Sequence, residues 1–246
     1  RRRDVVAVLD SIATRGPVAA NRALACIRKC FNWALRRDLV EFNPATAIDP
    51  PGGKEQGSDR VLSDDEIKLL WPAIDAAKMA PALKAMLRLV LVTGQRTQEL
   101  RFAAKSEFDL VNKRWTIPAA HTKNKKGAHL VPLSPLAVQL VKQAFKLAPD
   151  NDLLLPSPRT GRSFEQNALP RAVRNNEWLL DHFSPHDLRR TAATHMRRIG
   201  VPREIVKAIL NHTQADVTAV YDHYEKLPEK QAALNKWGRE LGRLIK

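Results

Sequence analysis

The sequence predicts a mainly α fold with a small antiparallel β-sheet, an α+β chain in two parts. Three observations carry this. Apolar residues recur mostly at three- and four-residue intervals, the period of a helix buried along one face. Residues 114–118 and 129–133 are instead β-branched or alternating around a Lys/Gly-rich turn, and read as a β-hairpin. A stretch rich in Pro, Gly and Ser at 48–60 separates a short helical region from the rest.

Taken in order, residues 4–14 read as a helix with Val5, Val8, Leu9 and Ile12 on one side, ended by Gly16-Pro17. A second helix covers 18–37, with Leu24, Ile27, Cys30, Phe31, Ala34 and Leu35 as its apolar stripe. Its exposed face carries Arg22, Arg28, Lys29, Arg36 and Arg37. After the linker, Ser63-Asp64-Asp65-Glu66 is a capping-box signature and opens a helix to about residue 77. Residues 81–92 form a strongly apolar helix, central to the core and interrupted by Thr93-Gly94. Arg96 then starts a short helix. Helices follow at 135–147, 164–178, 186–199, 202–210 and 216–224, with Gly200 and Pro202 marking a tight turn. From Pro228, the spacing of Ala233, Trp237 and Leu241 describes an amphipathic C-terminal helix.

Composition narrows the functions. At 246 residues and 44% hydrophobic, the chain is large enough for one large domain plus a smaller piece, and wholesale disorder is excluded. A net charge of +15 points to a polyanionic partner, most simply DNA. Cys26 and Cys30 lie four apart and read as small core residues in a reducing compartment. The most apolar run, 83–92, is interrupted by Lys84 and Arg88, which argues against a membrane span. The chain opens Arg1-Arg2-Arg3-Asp4 without an initiator Met or an apolar signal core, and reads as a piece of a longer polypeptide. It has no P-loop and no clustered carboxylates, so the expectation is no cofactor and no metal.

The chemistry lies in an ordered set of basic and hydroxyl residues. Arg96 sits in 93–100, Thr-Gly-Gln-Arg-Thr-Gln-Glu-Leu, with Glu99 three residues on and placed to pair with it. Lys123 sits in the turn-like 122–127, beside its rivals Lys125 and Lys126. His186 and Arg189 share a helix face near an N-terminus, where the helix dipole favours an anion. Arg190 points about 100° away from them. His212 follows Asn211, and Tyr221 follows nine residues later, with Tyr224 as its rival. Two arginines, a lysine, two histidines and a tyrosine suit phosphodiester chemistry without a metal. The arginines stabilise a charged phosphorus centre, the lysine and histidines move protons, and a phenol attacks.

Order, spacing and context together resemble the tyrosine recombinase (phage integrase) family, in particular the integrases of prophages and genomic islands. The segments that carry the resemblance are 90–100, 131–134, Ser-Pro-His-Asp-Leu-Arg-Arg-Thr at 184–191, and 217–222. The resemblance implies a clear division of roles. Arg96 and Arg189 clamp the phosphate, with Glu99 supporting Arg96. Lys123 is the general acid for the leaving 5′-oxygen. His186 and His212 donate hydrogen bonds or move protons. Tyr221 is the nucleophile that forms a 3′-phosphotyrosyl link. Asn211 stands where the family usually has Gly, and Asn also tolerates a left-handed backbone.

Lys125, Lys126, Arg190, Arg203, Arg28 and Lys29 are further expected DNA contacts. The implied domains are the C-terminal part of a helical core-binding domain at 1–47, a linker at 48–60 and a catalytic domain at 61–246. The implied partners are double-stranded DNA attachment sites, a homotetramer in the synaptic complex, and accessory DNA-bending or directionality factors, with no membrane. The implied compartment is the bacterial cytoplasm, at the nucleoid. The C-terminal stripe is expected to dock on a neighbouring subunit, with docking in cis on its own domain as the alternative. Two alternatives stand beside this one, a type IB topoisomerase and a DNA-binding regulator with a decayed site.

Overall fold

The computed structural model describes residues 1–55, 57, 59–122, 127–212 and 226–246. The chain divides into two compact units, Arg1–Ser58 and Asp59–Lys246.

The first unit is a pair of packed helices, α1 (Arg2–Ala13) and α2 (Pro17–Leu35). Gly16 in extended backbone and Pro17 at the first helical position separate them. Leu9, Leu24, Ala45 and Ile48 form the core, with Val5, Val6, Ala23 and Ile27 packed against it. Residues 43–53 fold back along α2. Asn43 Oδ1 accepts from Ala45 N at 2.8 Å, and Asn21 Oδ1 accepts from Gly52 N at 2.9 Å. A Cβ at Gly52 would sit 2.3 Å from the Pro17 carbonyl, so only glycine allows this approach. The Pro/Gly-rich stretch thus begins inside the first unit, because side chains of α2 bind its backbone.

Three expectations for this unit are corrected. Cys26 and Cys30 are both exposed, since the buried positions of α2 are Ala20 and Leu24. Val8 and Leu35 also face outward, because so small a unit covers only a narrow stripe. Arg28 is not on a free face. It donates from Nε to the Ala45 carbonyl at 3.0 Å and from Nη2 to the Ile48 carbonyl, and so holds the returning segment. Lys29 is exposed.

The second unit is built around α4 (Pro81–Thr93), which packs against α6 (Pro135–Leu147) and α8 (Pro185–Arg198). Nine of its thirteen residues are buried, as befits a helix covered on nearly all sides. Its charged interruptions face α3 (Asp64–Ala76): Arg88 donates to the Trp71 carbonyl and to Asp75. The expected capping box of α3 is present, with Ser63 Oγ accepting from Glu66 N and Glu66 Oε2 from Ser63 N. Gly94 at φ +68° ends α4 and turns the chain into α5 (Thr97–Phe102), with Arg96 as its N-cap.

The sheet has three antiparallel strands in the order β1 (Phe108–Asp109), β2 (Arg114–Ile117) and β3 (His129–Pro132). Trp115 pairs with Val131 and Ile117 with His129. The two-residue β1 was not expected, being too short for any alternation to show. The helix expected over 164–178 is shorter, α7 (Ala168–Arg174). Asn176 stops it by donating back to the Ala172 carbonyl, and the Trp178 indole donates to the Val173 carbonyl.

α9 (Arg203–Ile209) follows α8 through Gly200 at φ +84°. The helix expected over 216–224 lies outside the described residues. α10 (Leu227–Leu244) packs on α3, α4, α6, α8, α9 and β3. Ala233, Trp237 and Leu241 are buried in their own domain. The expectation that this stripe docks on a neighbouring subunit is therefore corrected: the chain covers it itself. The Trp237 indole donates to the Leu91 carbonyl at 3.0 Å, and a Cβ at Gly238 would lie 2.7 Å from Ser134 Oγ.

Candidate active site

The site forms where the ends of α4 and α9 meet the start of α8. Arg189, one turn into α8, is buried, with 3% of its surface exposed. Its Nη1 donates to the Gly94 carbonyl at 2.6 Å and its Nη2 to the Leu210 carbonyl at 2.5 Å. Nη2 also lies 3.4 Å from His212 Nε2. The guanidinium is therefore locked by main-chain acceptors from two separate helix ends.

Arg96 approaches from the other side. Its backbone N–H donates to Glu99 Oε2 at 2.7 Å and its Nη1 to Glu99 Oε1 at 3.0 Å. Glu99 is buried, which makes this a held pair and not a loose surface one. Arg96 Nη2 reaches the Asn211 carbonyl at 3.5 Å. Arg96, His186 and Arg189 line one cavity of about 160 Å³, together with Gln95 and Thr97.

Burial, then the charge of Arg96, pushes Arg189 down to about 9, with Glu99 acting in the opposite direction. It stays cationic at neutral pH. Two guanidiniums fixed this close repel each other, and an anion between them removes that penalty. His186 is exposed at the start of α8. Partial desolvation, then Arg189 and Arg190, lower its pKa below the ordinary histidine value. It is thus a neutral donor at pH 7. Arg190 turns away to Asp187 Oδ1 at 2.5 Å, while Asp187 Oδ2 caps α8 by accepting from Ser184 N and Oγ.

His212 is placed by the end of α9. The N–H of His212 donates to the Lys207 carbonyl and that of Asn211 to the Ala208 carbonyl, a Schellman turn with Asn211 at φ +49°. The same turn with Gly200 ends α8. Asn211 does here what glycine does there. Arg203, at the opposite end of α9, is exposed.

Of the expected site residues, the structure brings together Arg96, Glu99, His186, Arg189 and His212. Lys123, Lys125, Lys126, Tyr221 and Tyr224 lie outside the described residues. His195 is buried in α8 with Nε2 at 2.8 Å from the Leu62 carbonyl. Two residues were missed. Gln95 is fully buried and donates to the Thr93 and Ile209 carbonyls. His129, buried in β3, donates to the same Ile209 carbonyl at 3.0 Å. Gln95 lay inside a quoted motif, whereas nothing in the sequence singled out His129. Among the described residues, no three His, Cys, Asp or Glu side chains converge as metal ligands. No described helix is long and apolar enough to cross a membrane.

A buried Arg189 beside a part-buried, Glu99-held Arg96, on a mostly helical domain with a small antiparallel sheet, marks a tyrosine-type site-specific recombinase. Residues 60–227 match the phage integrase family, and the chain belongs to it. The tyrosine recombinase XerD of Oceanobacillus iheyensis is 26% identical over 238 residues, spanning 92% of this chain and 78% of its own length. The prophage integrase IntZ of Escherichia coli K12 is 23% identical over 245 residues, 99% of this chain and 60% of its own. Among solved structures, a lambda integrase dimer bound to a COC′ core site superposes with TM-score 0.66 at 16% identity, covering 87% of this chain and 79% of that one. The Tn1549 transposon integrase in complex with circular intermediate DNA superposes with TM-score 0.64 at 15% identity, over 94% and 84%. These two likenesses are of fold.

Proposed function

We propose that the chain cleaves and rejoins double-stranded DNA attachment sites through a 3′-phosphotyrosyl intermediate, integrating or excising a mobile element. The Tyr221 oxygen attacks the scissile phosphorus, and the bond from phosphorus to the 5′-oxygen breaks. Lys123 gives the leaving oxygen its proton. His212 assists removal of the phenol proton. Arg96 and Arg189 hold the non-bridging oxygens, with His186 as a further donor. Bond energy is kept in the phosphotyrosyl ester, so a 5′-hydroxyl from another duplex reverses the step and exchanges strands. The observation that carries this reading is Arg189 fixed by the Gly94 and Leu210 carbonyls beside the Glu99-held Arg96, with His186 and His212 adjacent.

In this reading, residues 1–47 belong to a helical DNA-clamp domain, 48–60 to a linker and 61–246 to the catalytic domain. Lys125, Lys126, Arg190, Arg203 and Lys29 contact the DNA backbone. The active assembly is a homotetramer on paired sites, joined by accessory DNA-bending or directionality factors, in the cytoplasm at the nucleoid. A solved lambda integrase tetramer bound to a Holliday junction has the same fold, with TM-score 0.67 at 16% identity.

A duplex nicked near the cleavage point tests the proposal, because loss of the short 5′ fragment traps the covalent adduct. Wild type and Tyr224→Phe should form the adduct, and Tyr221→Phe should bind the DNA without forming it. Adducts from Tyr221→Phe but not from Tyr224→Phe would move the nucleophile. Binding without any adduct would leave only a DNA-binding protein.

A further inference from the structure

The carbonyls at the end of α9 are all accounted for. Those of Val206, Lys207 and Ala208 accept from the N–H groups of Leu210, His212 and Asn211. The next three face other elements. The Ile209 carbonyl accepts from Gln95 Nε2 at 2.9 Å and His129 Nε2 at 3.0 Å, that of Leu210 from Arg189, and that of Asn211 from Arg96. Arg189 and Arg96 also belong to the phosphate clamp. Gln95 and His129 carry no part of the chemistry above, yet they hold the first link of the same turn.

The geometry fixes how they do so. Both partners of the Gln95 amide nitrogen, the Thr93 and Ile209 carbonyls, can only accept, so Nε2 faces them, and Oε1 is buried with no hydrogen-bond partner among the described residues. A leucine would fill that space without an unpaired acceptor, so packing alone does not call for glutamine there. His129 must likewise carry its proton on Nε2. It opens β3, six residues after Lys123 in the sequence. The α4–α5 corner and β3 therefore meet on a single carbonyl, three residues before His212.

We propose that Gln95 and His129 are positioning residues: by holding the Ile209 carbonyl from two sides, they fix the turn that sets His212 against Arg189. This rests on the strand-cleavage reading and adds two residues that touch no reacting atom.

The variants are Gln95→Leu, His129→Leu, and His129→Gln, which returns an N–H to the same place. Three readouts are taken on the full chain: single-turnover adduct formation on the nicked duplex, the NMR signals of the His212 ring without DNA, and thermal unfolding. Each leucine variant should cleave on the order of tenfold to a hundredfold more slowly. It should also shift or broaden the His212 signals while DNA binding holds. His129→Gln should regain most of the rate. The double leucine variant should lose less than the product of the two single losses, since both act through one carbonyl. Wild-type cleavage with unaltered His212 signals in the leucine variants would overturn the proposal. So would a rate loss that only tracks the unfolded fraction and is not regained by glutamine. If wild type forms no adduct, the cleavage reading fails, and the His212 signals still decide the positioning role.

Discussion

Trp237→Ala tests whether α10 belongs to the core of its own domain. The indole is fully buried and packs beside His195, with ring centroids 5.5 Å apart. Its N–H donates to the Leu91 carbonyl, one of the last carbonyls of α4, which therefore has no helical successor to serve. Truncating a buried Trp to Ala costs about 3–5 kcal/mol. Leaving the Leu91 carbonyl buried and unpaired adds roughly 1–3 kcal/mol. The sum, about 4–8 kcal/mol, is a large part of the roughly 5–15 kcal/mol that a domain has. At about 2–4 °C per kcal/mol for a domain of this size, the midpoint should fall by roughly 10–30 °C. Trp237→Phe keeps most of the volume and should lose only about 1–3 kcal/mol. Calorimetry and circular dichroism melts measure both. If Trp237→Ala melts within about 0.5 kcal/mol of wild type, the usual range for a surface substitution, and loses only self-association, docking of α10 on its own domain is wrong.

Three further outcomes follow from the site. Burial pushes His129 down to about 4, against 6.5 for the free ring. The unfolded chain therefore binds the extra proton first, so stability is complete above pH 6.5 and falls by about 3 kcal/mol as pH drops toward 4; His129→Gln should flatten denaturant-measured stability over that window. Arg189→Lys cannot span the Gly94 and Leu210 carbonyls with one ammonium while meeting phosphate, and should slow single-turnover cleavage about a hundredfold to a thousandfold; a loss under fivefold would remove Arg189 from the clamp. Gly94→Ala forces a left-handed alanine with its Cβ 3.3 Å from Leu210, and should cost about 1–2 kcal/mol in a urea melt; unchanged stability would mean the α4–α5 corner is not held as described.

The helices were legible wherever burial or capping does not depend on a distant segment. α4 is apolar on nearly every face, and the α3 capping box is local chemistry, so both could be read without knowing their neighbours. The buried stripe of α2 was not, because which of Leu24, Cys26 and Cys30 faces inward depends on where residues 43–53 return. Arg28 shows the same limit: a cation next to Lys29 reads as a solvated face until two carbonyls from a distant segment arrive.

The sequence by itself determined the class of fold, the family, and the types and order of the candidate site residues, because those depend on spacing within short segments. It also allowed a left-handed Asn211, since one residue's backbone preference is a local property. Only the tertiary structure decided what each residue is held by. Arg189 is fixed by carbonyls of residues 94 and 210, and His129 and Gln95 meet at residue 209. These pairings join atoms far apart in the chain, and no periodicity encodes them. The same holds for α10. Its amphipathic stripe stated that a partner was needed, and only packing showed that the partner is the rest of its own domain.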